Sequence, residues 1–165
     1  MMDEVDRILK AWARETPDLD VGPLRVLSRV SRLARYLDLA RREAFAQHNL
    51  DTWEFDVLAA LRREGSPYEL SPGQLIQQTL STSGTMTNRI DRLAERGLVE
   101  RLPDPRDRRG VRVRLLPEGR AIVGKALADL VKREEQILAG LSPQQREDIA
   151  NLLRRLVEPF ESNEG

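Results

Sequence analysis

The 165-residue sequence contains no cysteine, one histidine and only 4% aromatic residues. The lack of cysteine excludes disulfides, thiolate metal sites and cysteine nucleophiles. The lone histidine, His48, leaves no cluster of metal ligands, and no glycine-rich phosphate loop or nucleophile with an evident base is present. We therefore expect no enzyme activity, no metal site and no cofactor. We interpret His48 as a helix-terminal or dimer-interface residue.

The sequence also lacks a long hydrophobic run. No apolar stretch approaches the roughly 18 residues that are needed to cross a membrane. The first residues carry acids instead of basic residues followed by an apolar segment, so they do not resemble a signal peptide. Charged residues make up 33% of the chain, which is typical of long solvated helix faces. We expect a cytoplasmic protein with an aliphatic core.

An overall excess of one charge sign is absent, because 27 basic residues balance 27 acidic ones. The distribution along the chain is nevertheless uneven. Residues 101–114 contain six arginines and two aspartates, whereas residues 134–165 contain seven acids and three arginines. Since DNA binding depends on a local basic surface, the neutral total does not exclude a DNA partner.

Apolar periodicity, capping residues and turn residues divide the chain into seven helices and one β-hairpin. Ser71 followed by Pro72 opens a short helix, and Gly97 closes the helix after it. The segment PDPRDRRG reads as the hairpin loop. The predicted helices span about 3–16, 23–47, 51–65, 73–78, 83–96, 118–139 and 143–160, and the predicted strands span 98–102 and 111–116.

A short helix, a tight turn, a second helix and a basic hairpin are typical of a winged helix-turn-helix. In that arrangement the second helix enters the major groove of DNA, and the hairpin reaches phosphates or the minor groove. By helical angle, Met86, Ile90 and Leu93 face the core. The opposite side is small and polar, as contact with base edges requires. The predicted DNA-binding residues of this segment are Ser81, Thr82, Ser83, Thr85, Thr87, Asn88 and Arg92.

The arginine-rich hairpin, here called the wing, favours DNA binding over a merely solvated helix face. Its six arginines repel one another without a polyanion, although pairing with Asp104 and Asp107 is expected to account for part of the charge. The predicted DNA contacts of the wing are Arg106, Arg108 and Arg109, with Asp104 bracing the loop. Gly84 in the preceding helix costs about 1 kcal/mol relative to alanine, which close approach of the backbone to DNA would justify.

The segment STSGTMTNRIDRLAERGLVERLPDPRDRRGVRVRLLPEGRAIV resembles the DNA-binding core of MarR-type transcriptional regulators. Its specific marks are the TNRIDRLAERGLVER stretch, the DPRDRR wing and the L-x-P-E-G-R run after the second strand. The resemblance extends over nearly the whole chain. It implies a single domain over 1–165, with a winged helix-turn-helix core at about 50–116 and dimerisation helices at about 3–47 and 118–160. It also implies a homodimer that binds a palindromic operator.

The chain is similar in finer detail to the urate-responsive branch of this family. That branch has a tryptophan in an extra N-terminal helix, an aspartate in the third helix, and arginines in the recognition helix and just before the wing. The matching residues here are Trp12, Asp56, Arg89 and Arg101. They imply a site for a small anionic or aromatic ligand, with Asp56 paired to Arg89 in the empty site. The alternative interpretation is an ordinary Arg89–Asp56 salt bridge with Trp12 as a core anchor.

Taken together, the patterns predict a mainly α-helical, double-stranded DNA-binding transcriptional regulator with a two-stranded wing. The predicted activity is repression that a small ligand relieves. Two alternatives stay open at this point: a DNA-binding regulator that responds to no ligand, and a winged-helix module that binds protein. The basic wing tip favours DNA over the protein-binding module.

Overall fold

The computed structural model describes residues 1–162. Over this range the chain forms seven α-helices and three β-strands. The helices are α1 (Glu4–Glu15), α2 (Leu24–Ala46), α3 (Thr52–Arg63), α4 (Pro72–Thr79), α5 (Ser83–Glu95), α6 (Pro117–Ile137) and α7 (Pro143–Glu161). The strands are β1 (Glu69–Leu70), β2 (Val99–Asp104) and β3 (Asp107–Leu115), in the antiparallel order β1-β3-β2. No helix within 1–162 is long and apolar enough to cross a membrane.

The predicted mainly helical, winged fold is confirmed, and each predicted helix is found close to its expected bounds. The predicted single domain ends at residue 165, and residues 163–165 lie outside the described range. Sequence signals at the helix starts account for this agreement. Ser71 and Ser142 each accept a hydrogen bond from the backbone N–H three residues later, which satisfies a donor at the helix start.

The predicted length of the hairpin loop was wrong. Strand pairing does not stop before PDPRDRRG but continues to Asp104 opposite Asp107. The two aspartates stabilise the short turn, because Asp104 Oδ1 accepts a hydrogen bond from the Arg106 backbone N–H (2.9 Å) and Asp107 Oδ1 accepts one from that of Arg109 (2.9 Å). Proline has no backbone N–H to donate. Pro103 is tolerated because β2 is an edge strand, where a backbone N–H on the open side has no strand partner.

The predicted number of strands was also wrong, because the sheet has three strands instead of two. Glu69 and Leu70 form β1 and pair with Arg114 and Val113 of β3. Two residues are too few to show the alternation by which a strand is recognised. The strand is held by its neighbours, since Leu70 is buried in the core and the Glu69 carboxylate accepts hydrogen bonds from arginines of β3.

A continuous, mostly aliphatic core lies in the winged lobe, defined here as residues 50–116, and extends to the end of α2 and into α6. Met86, Ile90 and Leu93 of α5 are fully buried, which confirms the predicted core face of this helix. They belong to the same core as Leu58 and Leu61 of α3. Burying each such side chain stabilises the fold by about 1.5–3 kcal/mol, so α5 is fixed in place with its other face directed to solvent.

An ion pair between a buried carboxylate and a partly exposed arginine fixes the end of α5 against the start of α3. Glu54 is only 5% exposed, and its Oε1 accepts a hydrogen bond from Arg96 Nη1 (2.6 Å). Glu54 Oε2 accepts one from the Asp51 backbone N–H (2.8 Å), while Arg96 also donates to the Asn49 carbonyl oxygen (2.8 Å). Replacing Arg96 would leave the buried Glu54 carboxylate without its cationic partner, which is destabilising. The pair therefore restricts the orientation of α5.

The other helices leave a large apolar surface uncovered in the single chain. Helix α2 packs along α6, and His48 just beyond α2 is tied to α6 by a 2.6 Å contact between its Nε2 and Asp129 Oδ2. None of the residues Pro143–Glu161 of α7 is buried. The exposed apolar side chains of these helices include Val26, Leu27, Val30, Leu33, Leu127, Val131, Ile149, Leu152, Leu156, Val157 and Phe160.

Helix α1 is held on α2 by Arg29. Its Nε donates to Asp3 Oδ2 (2.8 Å), and its Nη2 donates to Asp6 Oδ1 (2.8 Å). Val5 is buried, so an apolar contact accompanies the ion pairs. Hydrogen bonds, the largest from the Arg29 side chain, lower the pKa of Asp3 from 3.8 to about 2.

We predict that acid weakens the docking of α1. Because the folded pKa of Asp3 lies below its unfolded value, the carboxylate contributes stability above about pH 4 that is lost as the pH falls towards 2. In a Trp53→Phe background, the fluorescence of Trp12 on α1 should change over this range. Asp3→Asn should show much of that change already at pH 7, whereas Asp18→Asn, in the exposed linker, should titrate like the parent. Identical titrations of the Asp3→Asn and parent proteins would contradict this interpretation.

Candidate nucleic-acid interface

The solvent side of α5 carries polar groups that the rest of the chain does not use. Within residues 1–162 the side chains of Ser83, Thr87 and Asn88 have no hydrogen-bond partner. Arg92 forms no ion pair there, and its guanidinium carbon lies 5.4 Å from the centroid of the Trp53 ring. Such groups can bond to bases and phosphates without first breaking an internal bond. The predicted contacts that are exposed are Thr82, Ser83, Thr85, Thr87, Asn88 and Arg92.

The turn before α5 is bonded internally. Thr82 Oγ1 lies 2.7 Å from Thr85 Oγ1. The half-buried Ser81 hydroxyl accepts a hydrogen bond from Arg89 Nη1 (2.6 Å) and lies 3.1 Å from Thr79 Oγ1. Ser81 would have to exchange these partners to bond to DNA, so its assignment as a contact stays a prediction.

Gly84 lies in the first turn of α5 and is exposed. A Cβ atom added at this position would have no neighbour within 4 Å. Packing inside the chain therefore does not require a glycine here, although glycine lowers helix stability by up to about 1 kcal/mol relative to alanine. A close approach of DNA to the backbone would still explain why a glycine occupies this position.

The base of the wing carries arginines that are neutralised by carboxylates. Arg101 Nη2 lies 2.8 Å from Asp91 Oδ1 on α5. Glu69 of β1 pairs with both Arg112 (3.3 Å) and Arg114 (2.5 Å). Hydrogen bonding to Glu69 raises the pKa of the Arg114 guanidinium above its ordinary value. These three arginines hold the sheet and α5 together and are not free to bind a polyanion.

The tip of the wing carries the arginines that stay unpaired. Arg106, Arg108 and Arg109 are exposed and form no ion pair with any described residue. The expected pairing with Asp104 and Asp107 was wrong, because these carboxylates accept hydrogen bonds from backbone N–H groups of the turn instead. The bracing role of Asp104 is confirmed. The wing therefore presents three uncompensated positive charges at its tip.

Two of the four predicted ligand residues line one open pocket of about 540 Å³ between the start of α3 and the turn before α5. These two residues are Asp56 and Arg89, and Trp53 lies beside them, 5.3 Å from the Arg89 guanidinium carbon. The expected Asp56–Arg89 ion pair was wrong. Asp56 Oδ1 accepts a hydrogen bond from Arg41 Nη2 (2.7 Å) instead, because α2 brings a second arginine to the same carboxylate.

The other two predicted ligand residues lie outside this pocket. Trp12 is on α1 and is 47% exposed, so it is not a core anchor in the single chain. Arg101 is occupied by Asp91 and by the Thr87 carbonyl oxygen, to which it donates at 3.2 Å. Sequence reasoning did not single out Trp53 or Arg41. A tryptophan at the start of the predicted third helix, in a chain with only two tryptophans, was the available signal.

The comparison with known proteins agrees with this geometry. Residues 48–110 match the family model described as MarR family. Over 160 residues the chain is 36% identical to the HTH-type transcriptional regulator PecS of Dickeya dadantii, an alignment that covers 97% of this chain and 96% of PecS. The chain belongs to the MarR family. It is a DNA-binding transcriptional regulator and not an enzyme.

Two solved structures place this MarR-family chain among its relatives. A mutant MarR from E. coli in complex with operator DNA matches with a TM-score of 0.68 and 24% identity over 88% of this chain and 97% of that one, which supports the fold. BpsR of Bordetella bronchiseptica matches with a TM-score of 0.61 and 32% identity over 78% of this chain and 98% of BpsR. The BpsR structure is described as a mechanism for regulation of DNA binding by 6-hydroxynicotinic acid.

We predict opposite effects of Gly84→Ala on stability and on DNA binding. The substitution should raise the free energy of unfolding by up to about 1 kcal/mol, because alanine favours the helix and its Cβ meets open space. If the backbone approaches DNA at this point, affinity for duplex DNA should fall roughly tenfold, which corresponds to about 1.4 kcal/mol. Gly73→Ala, at the matching position of α4, is the control for helix propensity. Unchanged DNA affinity of Gly84→Ala would show that the glycine has no role in binding.

Proposed function

We propose that the chain acts as a homodimeric transcriptional repressor that binds a palindromic operator and is released by a small anionic or aromatic ligand. The observation that supports it most directly is the charge distribution on the wing. Arg106, Arg108 and Arg109 at its tip have no carboxylate partner among the described residues, while the arginines at its base are paired. Together with the uncommitted polar face of α5, the tip provides groups for phosphates and base edges.

Dimerisation is supported by the apolar surface that the single chain leaves exposed. Leu152, Leu156 and Phe160 of α7 are 46–77% exposed, and no described residue of α7 is buried. Exposed apolar surface of this extent marks an interface with another protein. We propose that residues 3–47 and 118–160 form the dimerisation lobe, and that residues 50–116 form the DNA-binding lobe. A two-fold axis would then present two α5 helices to successive major grooves.

Ligand release is supported by the pocket that Arg89 and Asp56 line. Arg89 offers a guanidinium to an anion, and the Trp53 ring beside it offers a flat apolar surface to an aromatic body. BpsR, a relative of the chain, is described with an aromatic carboxylic acid, 6-hydroxynicotinic acid. A ligand of this chemistry would find a cation and a flat apolar surface side by side in the pocket. Trp12 and Arg101 remain the two further residues that the family resemblance assigns to the site.

The Arg89–Ser81 hydrogen bond links the pocket to the DNA-binding surface. Arg89 Nη1 donates to Ser81 Oγ (2.6 Å) at the turn that begins α5. An anion that takes this donor frees the turn and shifts α5 relative to α3. Because a ligand changes a conformational equilibrium only by its differential affinity for the two states, release requires tighter binding to the arrangement that does not fit the operator.

Selection of bound duplexes from a random DNA pool tests this function. We expect a palindrome whose half-sites are about 10 bp apart, as two recognition helices related by a dimer axis require. A selected site without two-fold symmetry, or enrichment of no sequence, would contradict the proposed dimeric regulator.

The selected operator then tests the ligand. Small aromatic acids and purines that raise the melting temperature of the protein should also release it from the operator. Arg89→Ala should lose both effects while the protein stays a folded dimer. Arg63→Ala, exposed at the end of α3 and outside both the pocket and the DNA-binding surface, is the control for the loss of a positive charge. Full ligand response of Arg89→Ala would exclude this pocket as the effector site.

A further inference from the structure

A second open pocket of about 670 Å³ lies between the end of α3, the end of β3 and the start of α6. None of its lining residues is shared with the pocket of Asp56 and Arg89. Its apolar wall includes Leu115, Pro117 and Ala121, and the ring of Tyr68 lies beside them. A cavity of this size with an apolar wall and a few convergent polar groups has the general form of a small-molecule site.

The polar groups of this pocket are all basic. Arg62, Arg120 and Lys125 line it, and no carboxylate does. Within residues 1–162 none of the three cations forms an ion pair, in contrast to the paired arginines at other contacts between elements, such as Arg96 with Glu54. Three like charges gathered around one pocket repel one another, although its opening to solvent weakens that repulsion. An anionic occupant would remove this cost.

Gly124 provides the space in which Arg62 reaches the pocket. The Arg62 guanidinium lies across α6, and its Nη1 donates to the Arg120 carbonyl oxygen at 3.2 Å. A Cβ atom added to Gly124 would collide with this guanidinium. Glycine in the interior of a helix costs about 1 kcal/mol relative to alanine. The sequence therefore carries a destabilising residue at the point where α6 makes room for Arg62.

Tyr68 supplies a flat wall that is fixed by the fold. Its backbone lies in the left-handed region (φ 62°), which is uncommon for a bulky residue. Its carbonyl oxygen accepts a hydrogen bond from the Leu115 N–H (3.0 Å), and its ring lies 4.7 Å from the guanidinium carbon of Arg120. This contact places Arg120 at the edge of the pocket.

We propose that this pocket binds a small organic phosphate. Three cations without a carboxylate match the two or more negative charges of a phosphate ester better than the single charge of a carboxylate. Arginine donates to phosphate oxygens in a planar fork, and lysine binds phosphate as a point charge. The apolar wall and the Tyr68 ring contact the organic part of the molecule.

Calorimetric titration of the DNA-free protein with phenyl phosphate tests the proposal. This probe combines a phosphate dianion with a flat apolar body, and phenyl sulfate, a monoanion of the same shape, should bind more weakly. Arg62→Ala and Lys125→Ala should each weaken binding of phenyl phosphate roughly tenfold, the scale of one charged hydrogen bond. Gly124→Ala should weaken binding less, because its Cβ forces the flexible end of Arg62 to move but leaves the charge in place. Arg63→Ala, the exposed neighbour outside the pocket, is the matched control.

Three results would overturn the proposal. The first is the absence of phenyl phosphate binding to a folded wild-type protein. The second is binding that survives Arg62→Ala and Lys125→Ala but is lost when Arg106, Arg108 and Arg109 are replaced, since the probe would then occupy the DNA-binding surface. The third is a wild-type protein that does not bind phenyl phosphate, together with an Arg62→Ala variant whose DNA binding depends less on salt than that of the wild type. Arg62 would then be assigned to contacts with DNA phosphates. The titration uses no DNA. It is repeated with Arg89→Ala, because phenyl phosphate also has the chemistry proposed for the pocket of Asp56 and Arg89; binding that is lost there but kept in Arg62→Ala counts against the proposal like the second result.

Discussion

The structure depends on how a chain with no net charge distributes its ion pairs. Several arginines that join one element to another have carboxylate partners, as Arg29 has in Asp3, Arg96 in Glu54 and Arg114 in Glu69. Arginines at the tip of the wing have none among the described residues. Since attraction to DNA depends on uncompensated local charge, this selective pairing creates a basic surface on a neutral protein.

The two faces of α5 differ in the same way, because one is bonded inside the protein and the other is not. Its apolar side chains are buried in the core, and the Glu54–Arg96 pair fixes its end, so the helix needs no further bonds from its polar face. That face stays free for DNA. The pocket of Arg89 reaches the start of the same helix through Ser81, which would connect the proposed anion site to the position of α5. Helix α5 is therefore fixed at its end by the Glu54–Arg96 pair, while the hydrogen bond near its start can be exchanged. This combination suits a DNA contact that a ligand regulates.

The helices and the core face of α5 were predictable because they depend on local periodicity and capping residues such as Ser71. The short strand β1 was not, because its pairing with β3 joins distant segments and its two residues show no pattern. The same limit applies to charge pairs. Helix periodicity placed Arg89 beside the core. Only the packing of α2 on α3 shows that Asp56 pairs with Arg41. Only the position of β1 shows that Glu69 neutralises arginines at the base of the wing. Residue types indicated which groups matter, whereas their partners depend on tertiary structure.

The most direct test of this account is the salt dependence of binding to duplex DNA, measured for the wild-type protein and for a variant with Arg106, Arg108 and Arg109 replaced by alanine. Each phosphate contact contributes about 0.9 to the slope of log affinity against log salt concentration. Removing three unpaired cations from each of the two wings of the proposed dimer should therefore lower the slope by up to about 5. The variant should keep its fold, since these side chains are exposed and unpaired among the described residues. An unchanged slope, or no binding of the wild-type protein to any duplex at low salt, would contradict the assignment of the wing tip as the DNA-binding surface.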